Sequence, residues 1–131
     1  MTTRILVVEN DALCRAEIQE TLSDLGYEVE AYPHGAGVLR DFGPERPLPA
    51  AILLDLHTPV MSGSEFRLAM YARPWLEHVP VVLVSGDPDI ALHAHALGAV
   101  GYLRKPFSIA DLFDVLRACQ RMGERGSDTE N

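Results

Sequence analysis

The chain has 131 residues, 47% hydrophobic and 23% charged, which suits one soluble domain with a real core and leaves too little for two. Its formal charge of -8 gives no basic field for phosphate backbones or anionic lipid, which argues against nucleic acid or membrane as a direct ligand. The N-terminus runs from Met1-Thr2-Thr3-Arg4 straight into Ile5-Leu6-Val7-Val8 without the regions of a signal peptide, and no run of apolar residues is long enough to span a bilayer, so the expected location is the cytoplasm.

In chain order, the first predicted strand is Arg4–Val8. A helix with the stripe Cys14, Ile18, Leu22 and Leu25 follows, closed by Gly26, and then a strand over Tyr27–Ala31. Val38, Leu39 and Phe42 mark a short second helix, and Pro44, Pro47 and Pro49 a stiff loop. The third strand is Ala50–Leu54, with Phe66, Ala69 and Met70 on the next helix. The fourth strand is Val81–Val84, and its helix carries Ile90, Ala94 and Leu97, closed by Gly98. Val100–Leu103 is the fifth strand. The fifth helix carries Ile109, Leu112, Leu116 and Cys119, opened by the capping pair Ser108 and Asp111. The domain is expected over 1–122, with a disordered tail over 123–131 and no residues left for an output domain. Cys14 and Cys119 each fall on an apolar stripe and are expected to be buried free thiols.

Alternating apolar strands and amphipathic helices predict an α/β fold with a parallel sheet covered on both faces. Ligands of such sheets sit at the carboxyl ends of the strands. Those ends carry Glu9, Asn10 and Asp11; Asp55; Ser85, Gly86 and Asp87; and Arg104, Lys105 and Pro106. A carboxylate there can attack phosphorus if a hard cation such as Mg2+ neutralises the transferring charge. Glu9 and Asp55 offer carboxylates for the metal and Asn10 an amide oxygen; Lys105 is a point cation and Ser85 a small donor. Asp55 ends the apolar run Ala51-Ile52-Leu53-Leu54, where an unpaired carboxylate would be costly. His34, His78, His93 and His95 are expected to be surface residues, the last two on different helix faces.

From Ile5 to about Arg121 the chain resembles the bacterial response-regulator receiver domains, in the segments ILVVEND, AILLDLHTPVMSG, VVLVSG and GYLRKPF. The resemblance implies a doubly wound, flavodoxin-like fold with five strands in the order 2-1-3-4-5 and five helices, an order for which the chemotaxis receiver is itself a standard example. By the same resemblance Asp55 is the phosphoacceptor, and Glu9, Asn10, Asp55 and the His57 carbonyl hold Mg2+, or Mn2+ in its place. Lys105 contacts the phosphoryl group, Ser85 and Tyr102 are the switch pair, and the bond before Pro106 is cis. The domain would be no enzyme in the usual sense, but a phosphoacceptor that assists its own phosphoryl transfer and autodephosphorylation. Implied partners are a sensor histidine kinase or a histidine phosphotransfer protein, a downstream protein, and a second copy through the face of the fourth helix, fifth strand and fifth helix. Two departures stand out. Asn10 occupies a position where the family usually has Asp, and Thr58 one where Met is common. Asn10 keeps open a pseudo-receiver that binds partners without being phosphorylated. An aspartyl-nucleophile phosphatase of the haloacid type would need a second Asp at the position of His57, and the acidic residues after the first strand would repel a flavodoxin cofactor's phosphate.

Overall fold

The computed structural model describes residues 3–129, with side chains described through residue 121. Its elements are β1 Arg4–Val8, α1 Ala12–Asp24, β2 Glu28–Tyr32, α2 Gly35–Asp41, β3 Ala51–Asp55, α3 Gly63–Tyr71, β4 Val81–Ser85, α4 Ile90–Ala96, β5 Gly101–Arg104 and α5 Ile109–Thr129. The strands form one parallel sheet in the order β2-β1-β3-β4-β5, as the family resemblance implied.

Side chains alternate across a strand, so each strand feeds two cores. Leu6, Val8, Ile52, Leu54, Val81 and Leu83 pack with Val38, Phe66, Met70, Ile90 and Ala94 from α2, α3 and α4. Ile5, Val7, Leu53, Val82, Val84 and Leu103 pack with Ile18 and Leu22 of α1 and with Leu112, Leu116 and Cys119 of α5. Both faces are therefore covered, which is why the central strands read as continuous apolar runs.

Four strands differ from their predicted bounds by a residue at one or both ends. Tyr27 donates its N–H to the Leu22 carbonyl, beside Gly26 to Ser23, so it closes α1 and the strand starts at Glu28. At the other ends the ladder outlasts the apolar run, because Asp55 pairs with Val84, and Ser85 with Arg104. Gly26 and Gly98 end their helices with positive φ, as their positions predicted. Ser108 and Asp111 exchange the two hydrogen bonds of a capping box. The Lys105–Pro106 bond is cis.

Three burial expectations need correction. Ile109 is 61% exposed, because it opens α5 on the rim of a groove rather than over the sheet. Leu25 is the C-cap residue of α1 and is likewise exposed. Cys119 is a buried free thiol, but Cys14 is only half-buried and lines the same groove. The helical backbone of α5 continues past Gly123 to Thr129. The side chains of the expected tail, and residues 130 and 131 altogether, lie outside the described residues. Among the described residues no helix is long and apolar enough to cross a membrane.

Candidate functional site

The carboxyl ends of β1, β3, β4 and β5 converge on a small polar pocket. Glu9 follows β1 directly, and its N–H donates to the Tyr32 carbonyl at 3.0 Å, which extends the β1–β2 pairing and turns the side chain inward. Asp55 is the last residue of β3 and Ser85 of β4; Glu9, Asp55 and Ser85 are all buried. Gly63, the first residue of α3, lies against the chain at Asp55 and Leu56: a Cβ there would come within 2.9 Å of Leu56 Cα and 3.0 Å of the Asp55 carbonyl. That close approach seats α3 against the end of β3.

Lys105, just past β5, binds the pocket's charges together. Its Nζ lies 2.6 Å from Glu9 Oε1 and 3.8 Å from Asp55 Oδ2. Glu9 Oε1 has no hydrogen bond of ordinary geometry, so the ammonium holds it by charge, while Oε2 accepts from the Asp11 N–H at 3.2 Å. Asp55 Oδ1 accepts from the His57 N–H at 3.1 Å. Burial raises the Asp55 carboxyl above its ordinary range, and the neighbouring Glu9 carboxylate raises it further, against the pull of the His57 N–H and Lys105. Burial also pushes Glu9 upward, but its close contacts with Asp55, Lys105 and Cys14, with the Asp11 N–H, outweigh it and hold Glu9 low. The pair thus favours a proton on Asp55. Burial works against the charge of Lys105, yet Glu9 and Asp55 prevail and hold its ammonium above the usual range.

The other sequence-predicted residues are placed unevenly. Ser85 Oγ accepts from the Asp87 N–H at 3.0 Å, and the Ser85 carbonyl accepts from the Lys105 N–H, so β4 and the cis turn are joined. Tyr102 stands on β5 and is 45% exposed. Asn10 is exposed, and its carbonyl accepts from Arg15. Asp11 is the N-cap of α1, accepting from the Cys14 N–H at 2.9 Å. Among the described residues no group of three or more His, Cys, Asp or Glu is arranged to hold a metal ion. Two buried carboxylates, one with an oxygen served only by a lysine, nevertheless form a hard-oxygen donor set that suits Mg2+.

Sequence reasoning put Asp87 at the strand ends but missed the partners through which it joins the rim. Asp87 Oδ2 lies 3.5 Å from His57 Nε2 and 3.6 Å from His93 Nε2, so His93 is not an idle surface residue. The Asp89 N–H, and then the two imidazoles against its partial burial, hold the Asp87 carboxyl low. Nothing in the spacing of these residues signals the contact, since each comes from a different loop or helix. The covering loop is also unusual: Val60 has φ 71°, and the Met61 N–H donates to the Pro59 carbonyl at 2.7 Å. That is a strained conformation for a β-branched residue.

The fold and pocket define a doubly wound α/β domain with a buried carboxylate pair and a lysine at its strand ends. The chain matches the response regulator receiver domain family over residues 5–117, and it belongs to that family, the receiver domains of two-component response regulators. Nodulation protein W of Bradyrhizobium diazoefficiens is 30% identical over 124 residues, 92% of this chain and 53% of that protein. Response regulator MprA of Mycobacterium ulcerans is 31% identical over 123 residues, 92% of this chain and 51% of its own. The chain spans about half the length of these curated relatives. Among solved structures, chemotaxis protein CheY4 of Vibrio cholerae superposes with a TM-score of 0.80 at 28% identity, covering 91% of this chain and 99% of that one. The receiver domain of sensor histidine kinase PA1611 from Pseudomonas aeruginosa, with a magnesium ion in its active-site cleft, gives 0.79 at 28%, covering 90% and 97%.

A carboxyl whose pKa is raised on folding lowers stability as pH rises from its unfolded value through its folded one. Asp55 is such a group, so at neutral pH without metal its charge opposes folding. Asp55→Asn should therefore stabilise the metal-free protein by roughly 1–2 kcal/mol at pH 7, and by less near pH 4. Urea unfolding in a chelator measures both; equal stability of the two proteins at pH 7 would contradict the assignment of strain to this carboxylate.

Proposed function

We propose that Asp55 accepts a phosphoryl group and that the domain signals its presence to a protein partner. The observation that carries this reading is the convergence of Glu9, Asp55 and Lys105 within one buried pocket at the strand ends. An Asp55 oxygen attacks the phosphorus of a phosphohistidine on a sensor histidine kinase or a histidine phosphotransfer protein. The P–N bond breaks, its electron pair returns to the imidazole, and an acyl phosphate remains on Asp55. Glu9, Asp55, the Asn10 amide and the His57 carbonyl would hold Mg2+ or Mn2+, which when bound neutralises charge on the transferring group.

Lys105 leaves Glu9 to contact a phosphoryl oxygen, and the Ser85 O–H donates to another. Tyr102, exposed on β5, turns in behind Ser85 and alters the α4-β5-α5 face, which presents the signal to a downstream protein or to a second copy. Water attack on the acyl phosphate returns the carboxylate, so the domain resets itself without being an enzyme for a separate substrate. The reading places it in the cytoplasm, with neither nucleic acid nor membrane as direct ligand. Asn10, exposed and uncharged, favours a second reading, a partner-binding pseudo-receiver that is not phosphorylated.

Incubation with acetyl phosphate and Mg2+ should add one phosphoryl mass, labile to hydroxylamine and absent from Asp55→Asn. Equal labelling of the mutant would remove Asp55 as the acceptor, and no labelling of the parent would favour the pseudo-receiver. Charge count is a main determinant of hard-cation affinity, so Asn10→Asp should tighten Mg2+ binding several-fold, on the order of 1 kcal/mol. Calorimetric titration that finds no gain would mean that residue 10 does not serve the metal.

A further inference from the structure

Arg67 is a buried charge that the pocket does not use. It lies on α3 and is 6% exposed, and a guanidinium buried to that extent needs partners. It finds them at the far end of a neighbouring helix. Nε donates to the Leu97 carbonyl at 2.8 Å and Nη2 to the Gly98 carbonyl at 3.1 Å. Its plane lies over the Tyr71 ring at 4.3 Å, and Tyr71 Oη donates to the same Leu97 carbonyl at 3.2 Å. These are carbonyls at and just past the end of α4, where a helix lacks internal partners and its dipole is negative. Gly98, at φ 66°, permits the approach: a Cβ there would lie 2.6 Å from Tyr71 Oη.

The amino end of α4 is held differently. Its N-cap Asp89 makes no capping hydrogen bond through its side chain. Asp87 reaches it through the Asp89 N–H and through His93 at 3.6 Å, and Arg104 donates to the Pro88 carbonyl, all partly exposed contacts. Ile90 and Ala94 seat the helix on the core, but apolar contacts lack direction and tolerate tilting more readily than bonded carbonyls do.

We propose that Arg67 and Tyr71 pin the carboxyl end of α4, so that this helix moves as a lever about that end. Its amino end follows Ser85 and Asp87, so a change at the pocket acts at the end whose polar contacts are partly exposed. That consequence rests on the function proposed above; the pin itself does not.

Amide hydrogen exchange on the whole chain, without a phosphodonor, tests the pin in the parent, Arg67→Met and Tyr71→Phe. The Leu97, Gly98 and Ala99 amides are bonded to the His93, His95 and Ala94 carbonyls, and those of Leu92 and His93 to Asp89. After correction for any change in global stability measured in urea, Arg67→Met should speed exchange at 97–99 about tenfold and leave 92 and 93 within about threefold. Tyr71→Phe, which keeps the ring and loses one hydrogen bond, should act in the same direction by about threefold, and it decides the matter if Arg67→Met does not fold. Equal acceleration at both ends, or none at 97–99, overturns the pin. A second arm adds Mg2+ and acetyl phosphate, with labelling followed by mass. Labelled parent should change exchange over 87–93 and not at 97–99, and equal change at both ends overturns the lever. If no label is added, the proposed function fails, and the first arm still decides the pin.

Discussion

The contact between Lys105 and Glu9 is the constraint around which the pocket is organised. Two carboxylates, Glu9 and Asp55, are buried together at the end of an apolar sheet, an arrangement that desolvation and mutual repulsion both oppose. The contact with Asp55 and then the ammonium at 2.6 Å hold the Glu9 carboxyl low, while burial and the Glu9 charge hold Asp55 high. A site of this kind gains from any further positive charge, and its resting strain is what a cation would relieve.

The rest of the fold serves that contact. Three groups must arrive from β1, β3 and the turn after β5, and the parallel order β2-β1-β3-β4-β5 puts those strand ends on one edge. The register fixes their depth, with Asp55 beside Val84 and Ser85 beside Arg104, one residue short of Lys105. The two cores hold the register, since a slip of one residue would exchange their side chains. The helices then divide the work: α1 and α5 cover one face, α2, α3 and α4 the other, and α4 carries the pocket's rim at one end and the Arg67 anchor at the other.

Asp55 and Glu9 were legible in the sequence because each breaks an apolar strand at its carboxyl end, and Lys105 because it follows the fifth strand there, where an α/β sheet puts its ligands. Strand order came from family resemblance, and no property of the residues alone would have supplied it. Strand ends were read short where the ladder continues through polar Asp55 and Ser85, and the start of β2 was read early because Tyr27 looks like a strand residue but closes a helix. Asp87 was placed at the strand ends, but its contacts with two histidines, and the hold of Arg67 on the end of α4, were not legible. His57 and Arg67 meet their partners across elements distant in sequence, where periodicity carries no signal, and an arginine on a short helix reads as a solvated one.

The most direct measurement of the central constraint is a double-mutant cycle on Glu9→Gln and Lys105→Met, read by urea unfolding at pH 7 in a chelator. If the ammonium and the buried carboxylate sustain one another, the two substitutions should be coupled by about 1–3 kcal/mol, with the double mutant less destabilised than the sum of the single ones. Additive effects, within about 0.5 kcal/mol, would mean that the two groups do not hold each other in the folded protein, and the account of the pocket built on them would be wrong.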